Sequence, residues 1–357
     1  MFYYIDQLGW FRFPFHLVLL NIWVGTVSVF LINVGIHLIL FVVMLLKVAV
    51  STWLERRAMG NIQRRAGPNV VGPQGLFQPI ADGLKLLIKE PIIPAKANFL
   101  LFLVAPMLVL ILSLGVWLFI PVTRHVYSNF TLSLLYVVVV GVLETYGILF
   151  AGWSSNSKYA LLGGLRATAQ MLSYEISLSF IFLGVIFWIG SFNLIDVVLY
   201  QTTHNTWLLF PLLPFAVIFS ISMLAESNRA PFDLPEAEAE IVAGYNVEYS
   251  GFLFALFFLG EYAKMLFLSA IFTLLFGGGG SLLFWAASSL WGISFIFGLK
   301  VAFVFFFFVW VRASLPRYRY DQLMDLGWKT FLPFTFGFLV FIIFVLYVSG
   351  TFPPLSW

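Results

Sequence analysis

The sequence predicts an all-α integral membrane protein, a bundle of about eight transmembrane helices with an amphipathic helix in its first inner loop. Three observations carry that prediction. Of 357 residues, 61% are hydrophobic and only 10% charged, more apolar surface than a soluble core of this size can hide. The apolar residues fall in runs long enough to cross a bilayer, which takes roughly 20 helical residues. The charged residues gather in the connections between those runs, with a strong bias to one side.

Residues 1–20 are aromatic and amphipathic, carry Asp6 and Arg12, and lack a small-residue cleavage site. They read as an interfacial lead-in to a single membrane domain, 21–357. The first span, about 21–53, is longer than a crossing needs and must be tilted or extended beyond the membrane. Further spans are expected at about 98–120, 131–152, 163–190, 208–226, 248–276, 282–311 and 330–350. They do not divide into two similar halves, which argues against an inverted-repeat transporter. The run Gly277–Gly280 between two of them reads as a flexible linker.

Basic residues set the orientation, because Lys and Arg are retained on the side of insertion. The loops after spans one, three, five and seven, with their flanks, hold fourteen cations, whereas the other side holds only Arg12 and Arg124. Both termini therefore face the outer compartment. Lys47, Lys264 and Lys300 fall within predicted spans.

Composition also excludes chemistries. With no cysteine, the chain offers no disulfide, thiolate nucleophile or iron–sulfur ligand. His16, His37, His125 and His204 are scattered singly and form no haem clamp. A formal charge of +3 without a polybasic block argues against nucleic acid as a partner.

Three polar stretches interrupt the apolar pattern. The longest, Glu226 to Gly251, brings Glu226, Asp233, Glu236, Glu238, Glu240 and Glu248 together with Arg229 between two spans. Asp233 and Glu236 have capping-box spacing with Pro235 between them, so a short helix is expected from Asp233. On it Glu236 and Glu240 share a face and Glu238 points away. Interleaved Tyr245, Tyr249 and Phe252 predict a loop folded back on the bundle rather than one left in water. In the first inner loop, Glu55 to Pro91, the residues Leu76, Phe77, Ile80, Leu84, Leu87 and Ile88 recur at helical spacing opposite Asp82, Lys85 and Lys89. The third stretch, Ala151 to Ser177, sets Arg166, Gln170, Tyr174 and Ser177 on one helix face and turns Glu175 elsewhere.

Glu144, Glu175 and Glu261 lie inside predicted spans, and Lys264, three residues after Glu261, is within its ion-pair reach. At about 2.5–3.5 kcal/mol for an acid at a helix centre, three acids would together cost on the order of 8–10 kcal/mol, as much as a whole domain's stability. They must be neutral, paired or beside water. An ion or proton path is the default reading, and polar helix packing the alternative.

The blocks ERRAMGNIQRRAGPNVVGPQGLFQPIADGLKLLIKEP, GWSSNSKYALLGGLRATAQMLSYE, AESNRAPFDLPEAEAEIVAGYNVEYSG, ALFFLGEYAKM and LPRYRYDQLMDLGWK resemble the chain 1 (H subunit) family of proton-pumping NADH:ubiquinone oxidoreductase, respiratory complex I. The resemblance implies an enzyme subunit without a redox centre, metal or covalent cofactor of its own. Ubiquinone would be the substrate, and NADH, FMN and iron–sulfur clusters would sit on partner subunits. Implied partners are the peripheral-arm subunits carrying the terminal cluster, the neighbouring membrane subunits and lipids. By motif, Arg56, Asp82, Phe258, Arg312 and Arg317 fall at the quinone chamber or its entrance, and Arg229, Asp233, Glu236, Glu238 and Glu240 in the loop beside it. Tyr174, Glu175, Glu226 and Glu261 match the start of an acidic proton path. Two residues depart from the family pattern: Lys264 stands where Asn is usual and Glu144 where Gly is usual. Their opposite signs predict a charge pair beside that path. The membrane subunit of an energy-converting hydrogenase and a stand-alone proton- or ion-coupled secondary transporter are the rival readings. The 42 phenylalanines fit an AT-rich organelle genome and hence the mitochondrial inner membrane, with a bacterial plasma membrane as the alternative.

Overall fold

The computed structural model describes residues 15–122, 130–233, 244–281, 290–350 and 353. Among them there are α-helices and short tight helical turns, and no strand. The chain divides after Lys47 into two compact units, a boundary that falls inside the first helix, α1 (Phe15–Ile62). That helix begins within the stretch read as the lead-in. Asp6 and Arg12 lie outside the described residues.

The second unit continues with α2 (Gln78–Ile88), α3 (Phe99–Gly115), α4 (Ser133–Ser154), α5 (Lys158–Ile189) and α6 (Leu194–Thr203). It ends with α7 (Leu213–Glu226), α8 (Gly251–Leu275), α9 (Leu290–Ser314), α10 (Tyr320–Asp325) and α11 (Leu332–Ser349). Among the described residues, six helical segments are long and apolar enough to cross a membrane: Phe99–Phe119, Ser133–Ser154, Lys158–Ile189, Gly251–Leu275, Gly292–Ser314 and Tyr320–Ser349. The protein is an all-helical membrane bundle.

Local chemistry sets the boundaries. Ser157 caps α5 by accepting from the Ala160 amide at 3.3 Å, and Gly190 ends it in the left-handed region at φ 88°. Asn193 caps α6 through the Ile195 amide at 3.0 Å, and this helix was not expected from the apolar pattern. The fifth predicted span is shorter than expected, 14 helical residues. Pro211 and Pro214 bracket its start, and the preceding turn is tied off by Gln201 and Phe276, which accept from the Leu208 and Leu209 amides. A π-helical turn, Leu326–Phe331, joins α10 to α11, and Pro333, lacking an N–H, supports that break in the ladder.

At the centre, α5 packs on α4, α7 and α11, and α8 packs on α3, α7 and α9. The turn Gly244–Asn246 lies against α5 at Gly163, where a Cβ would fall 2.5 Å from the Gly244 Cα. Backbone meets backbone there, so the described end of the polar connection, from Gly244, is folded back on the bundle as expected. The run Gly277–Gly280 is not a loose linker. Lys300 Nζ donates to the carbonyls of Gly277 at 2.6 Å, Gly279 at 3.0 Å and Ser281, and lies 4.6 Å from the Trp207 ring centroid.

Candidate functional site

Four helices each contribute one ionisable group to a single buried cluster: Glu144 from α4, Glu175 from α5, Glu226 from α7 and Lys264 from α8. They line a cavity of about 50 Å³ together with Ser113, Gly141, Ser179 and apolar residues of the same helices. Lys264 Nζ lies 2.7 Å from Glu226 Oε1 and 3.1 Å from Glu144 Oε2, and all three residues are more than nine-tenths buried. A lone charge at such depth costs several kcal/mol, so the two carboxylates and the ammonium require one another. Glu175 differs. It is only 8% exposed, makes no ion pair with Lys264, and has the Glu226 carboxyl as its polar neighbour. Space for it exists because position 141 is glycine, where a Cβ would sit 3.0 Å from Glu175 Oε1. The cavity has room for a few water molecules.

The ion pair between Lys264 and Glu144 is thus present, but the expected link from Lys264 to Glu261 is not. Lys264 turns towards α7 and α4, where two buried acids need a counter-charge. Glu261 has other partners: it accepts from Tyr245 Oη at 2.7 Å and lies 3.6 Å from Arg229 Nη2. The buried Arg229 guanidinium also sits 4.5 Å from the Tyr262 ring centroid. Beside it, Arg312 pairs with the buried Glu55, and a cavity of about 10 Å³ separates Glu55 and Arg312 from Arg229, Phe305 and Phe308. Phe258 packs on Tyr262 with centroids 4.7 Å apart.

A third group is more open. Arg56 pairs with Asp82 at 2.5 Å, and Gln78 Nε2 donates to the other Asp82 oxygen at 3.0 Å. Arg56 also borders a cavity of about 450 Å³ against the turn 65–70. Arg317 reaches Asp233 at 3.4 Å. Tyr174 stands apart from the lysine cluster: its hydroxyl donates to the Leu323 carbonyl at 3.1 Å and its ring lies against Phe232 and Phe331. Glu236, Glu238 and Glu240, with the helix expected from Asp233, lie outside the described residues.

The amino-acid pattern did not single out Glu55, whose one signal is an acid closing an apolar run, or Gly141. It placed Gln170 on a polar face without its task. Fully buried, Gln170 donates from Nε2 to the carbonyls of Ala225 and Phe232, both at 2.9 Å, and so ties α5 to both ends of the turn holding Arg229.

Residues 36–343 match the family described as NADH dehydrogenase. A protein from Chondrus crispus called NADH-ubiquinone oxidoreductase chain 1 is 48% identical over 92% of this chain and 99% of its own length. The H subunit of the NADH-quinone oxidoreductase of Paramagnetospirillum magneticum is 52% identical over 87% of this chain and 91% of its own. A chain 1 protein of Cyanidium caldarium is 48% identical over 87% and 90%. The chain belongs to the NADH dehydrogenase chain 1 family. Every residue of the three charged groups lies within the family's matched span, and the organisation around Lys264 is therefore part of an NADH dehydrogenase subunit rather than of an appended segment.

Proposed function

We propose that the chain is the membrane subunit of a proton-pumping NADH:ubiquinone oxidoreductase, in which it forms much of the quinone chamber and the start of an acidic proton path. The observation that carries this reading is the placement of charge. Beyond the exposed pair Arg56–Asp82, the chain holds the pairs Glu55–Arg312 and Arg229–Glu261, whose Glu55, Arg312 and Arg229 line one small cavity, and α8 carries Glu261 one turn from Lys264 in the cavity of Glu144, Glu175 and Glu226. Ionisable residues at membrane depth mark ion and proton routes. Arg56, Asp82, Phe258, Arg312 and Arg317 would face the quinone chamber, with Arg229, Asp233 and the acids up to Glu240 beside it. Glu226, Glu175 and Glu261 would carry the path onward, and Tyr174 would brace it.

In this reading α1 and α7 also cross the membrane, making eight spans, and α2 lies at the inner interface with its apolar face down. Both termini face the outer compartment. The peripheral arm, with its flavin and iron–sulfur clusters, docks over α2 and the turn 65–70. The chain 1 relatives from Chondrus and Cyanidium favour the mitochondrial inner membrane.

The test uses Arg56→Ala and Asp82→Asn in membranes containing the assembled complex. Both groups are more than a third exposed, so breaking the pair removes only about 0–1 kcal/mol of stability. Assembly and NADH oxidation by ferricyanide should persist while oxidation by a quinone analogue falls. Equal loss of both activities, or loss of neither, rejects the assignment.

A further inference from the structure

One cation faces three acids in the cavity, and the acids are not equivalent. Glu144 and Glu226 are held on Lys264 from opposite helices, α4 and α7, whereas Glu175 approaches from α5 beside the Glu226 carboxyl and makes no ion pair with the ammonium. The remaining polar side chains on the cavity wall, Ser113 from α3 and Ser179 from α5, are uncharged.

We infer that Lys264 is a positioning residue that grips two carboxylates so that Glu226 can be discharged while the ammonium keeps Glu144 as its counter-ion. The inference deepens the proton-path reading above and rests on it. An ammonium with a single carboxylate would be stranded whenever that carboxylate took up a proton, and an uncompensated buried charge is strongly unfavourable. With two, a proton can leave the Glu175 carboxyl, cross the cavity through water and bind the Glu226 carboxylate. Glu175 becomes the carboxylate and Glu226 the acid, while Lys264 retains its three protons and its contact with Glu144. The count of protons and charges in the cavity is unchanged by the transfer, which is the condition for moving it at low dielectric.

The design makes an unusual demand on Glu144: it takes no proton itself, yet without it Glu226 is locked as the only counter-ion of Lys264. Glu144→Gln, which leaves Lys264 paired and so permits folding, should therefore lower the ratio of protons pumped to NADH oxidised about tenfold in sealed vesicles carrying the whole complex. Adding Lys264→Met should release Glu226 and bring the ratio back to within about threefold of the parent. Lys264→Arg, which keeps the cation, should pump. NADH oxidation by ferricyanide reports that each complex is assembled. Losses that multiply in the double variant, or a Glu144→Gln complex that pumps normally, overturn the role of Lys264. Glu175→Gln separates the two layers of the argument. If it abolishes pumping while Glu144→Gln is silent, only the lysine grip fails; if it pumps normally, the path reading fails and the inference with it.

Discussion

Replacing Gln170 by Leu is expected to loosen the connection that carries Arg229 without touching any charge. Its amide holds the carbonyls of Ala225 and Phe232, residues 55 and 62 positions away. The Ala225 carbonyl keeps the Asn228 amide at 3.2 Å and forfeits one bond of about 0.5–1.5 kcal/mol, whereas the Phe232 carbonyl is left unsatisfied at about 1–3 kcal/mol, together about 1.5–4.5 kcal/mol. Against this, the substitution also removes Gln170 Oε1, which is buried without a hydrogen-bonding partner among the described residues, and recovers about 1–3 kcal/mol. The net loss is about 1 kcal/mol, roughly a 5-fold rise in the opened fraction of the turn. The absence of cysteine supplies the assay. Ser227, buried beside the turn and bonded to the Leu224 carbonyl, is changed to Cys, and its rate of thiol labelling in permeabilised membranes follows the open population when closing is fast. Labelling should quicken about 5-fold when Gln170→Leu is added. An unchanged rate would show that the turn is held by something else.

The orientation is checked by single cysteines at exposed positions: Thr206→Cys should react with an impermeant reagent from the outer side and Lys96→Cys should not, and the reverse pattern would overturn the assignment. Gly278, in the connection after α8, is a poor site for such a probe, because it is buried at φ 68° with Trp207 where a side chain would go. Tyr245→Phe removes a 2.7 Å hydrogen bond to Glu261, worth about 1.5–3 kcal/mol to a charged acceptor. Combined with Glu261→Gln it should cost less than the sum of the two in thermal inactivation of the assembled complex, and an additive result would show that the bond does not matter.

The membrane bundle was legible in the sequence because it depends on run length and hydropathy, quantities that a single chain carries locally. Span ends in α4, α5 and α8 fall close to expectation for that reason. The short α7 did not, because Pro211 and Pro214 act on the backbone while leaving the apolar run intact. Pairing of charges depends on which helices touch. Opposite departures at Glu144 and Lys264 were enough to anticipate their contact, but the third member, Glu226, belongs to a helix whose neighbours no periodicity reveals. Sequence proximity pointed instead to Glu261, which Tyr245 and Arg229 had already engaged. Glu55 was missed because its partner Arg312 is 257 residues away.

The carbonyl ring around the Lys300 ammonium follows directly on the C-terminus of α8, where the helix macrodipole presents partial negative charge. Such a ring of backbone oxygens is the kind of site that takes a potassium or sodium ion stripped of its water. Here the ion is covalently attached to α9, so its local concentration does not fall when the bathing solution is diluted. The turn after α8 should keep its shape in low salt as in high, and two helices are pinned to each other by an electrolyte that cannot diffuse away.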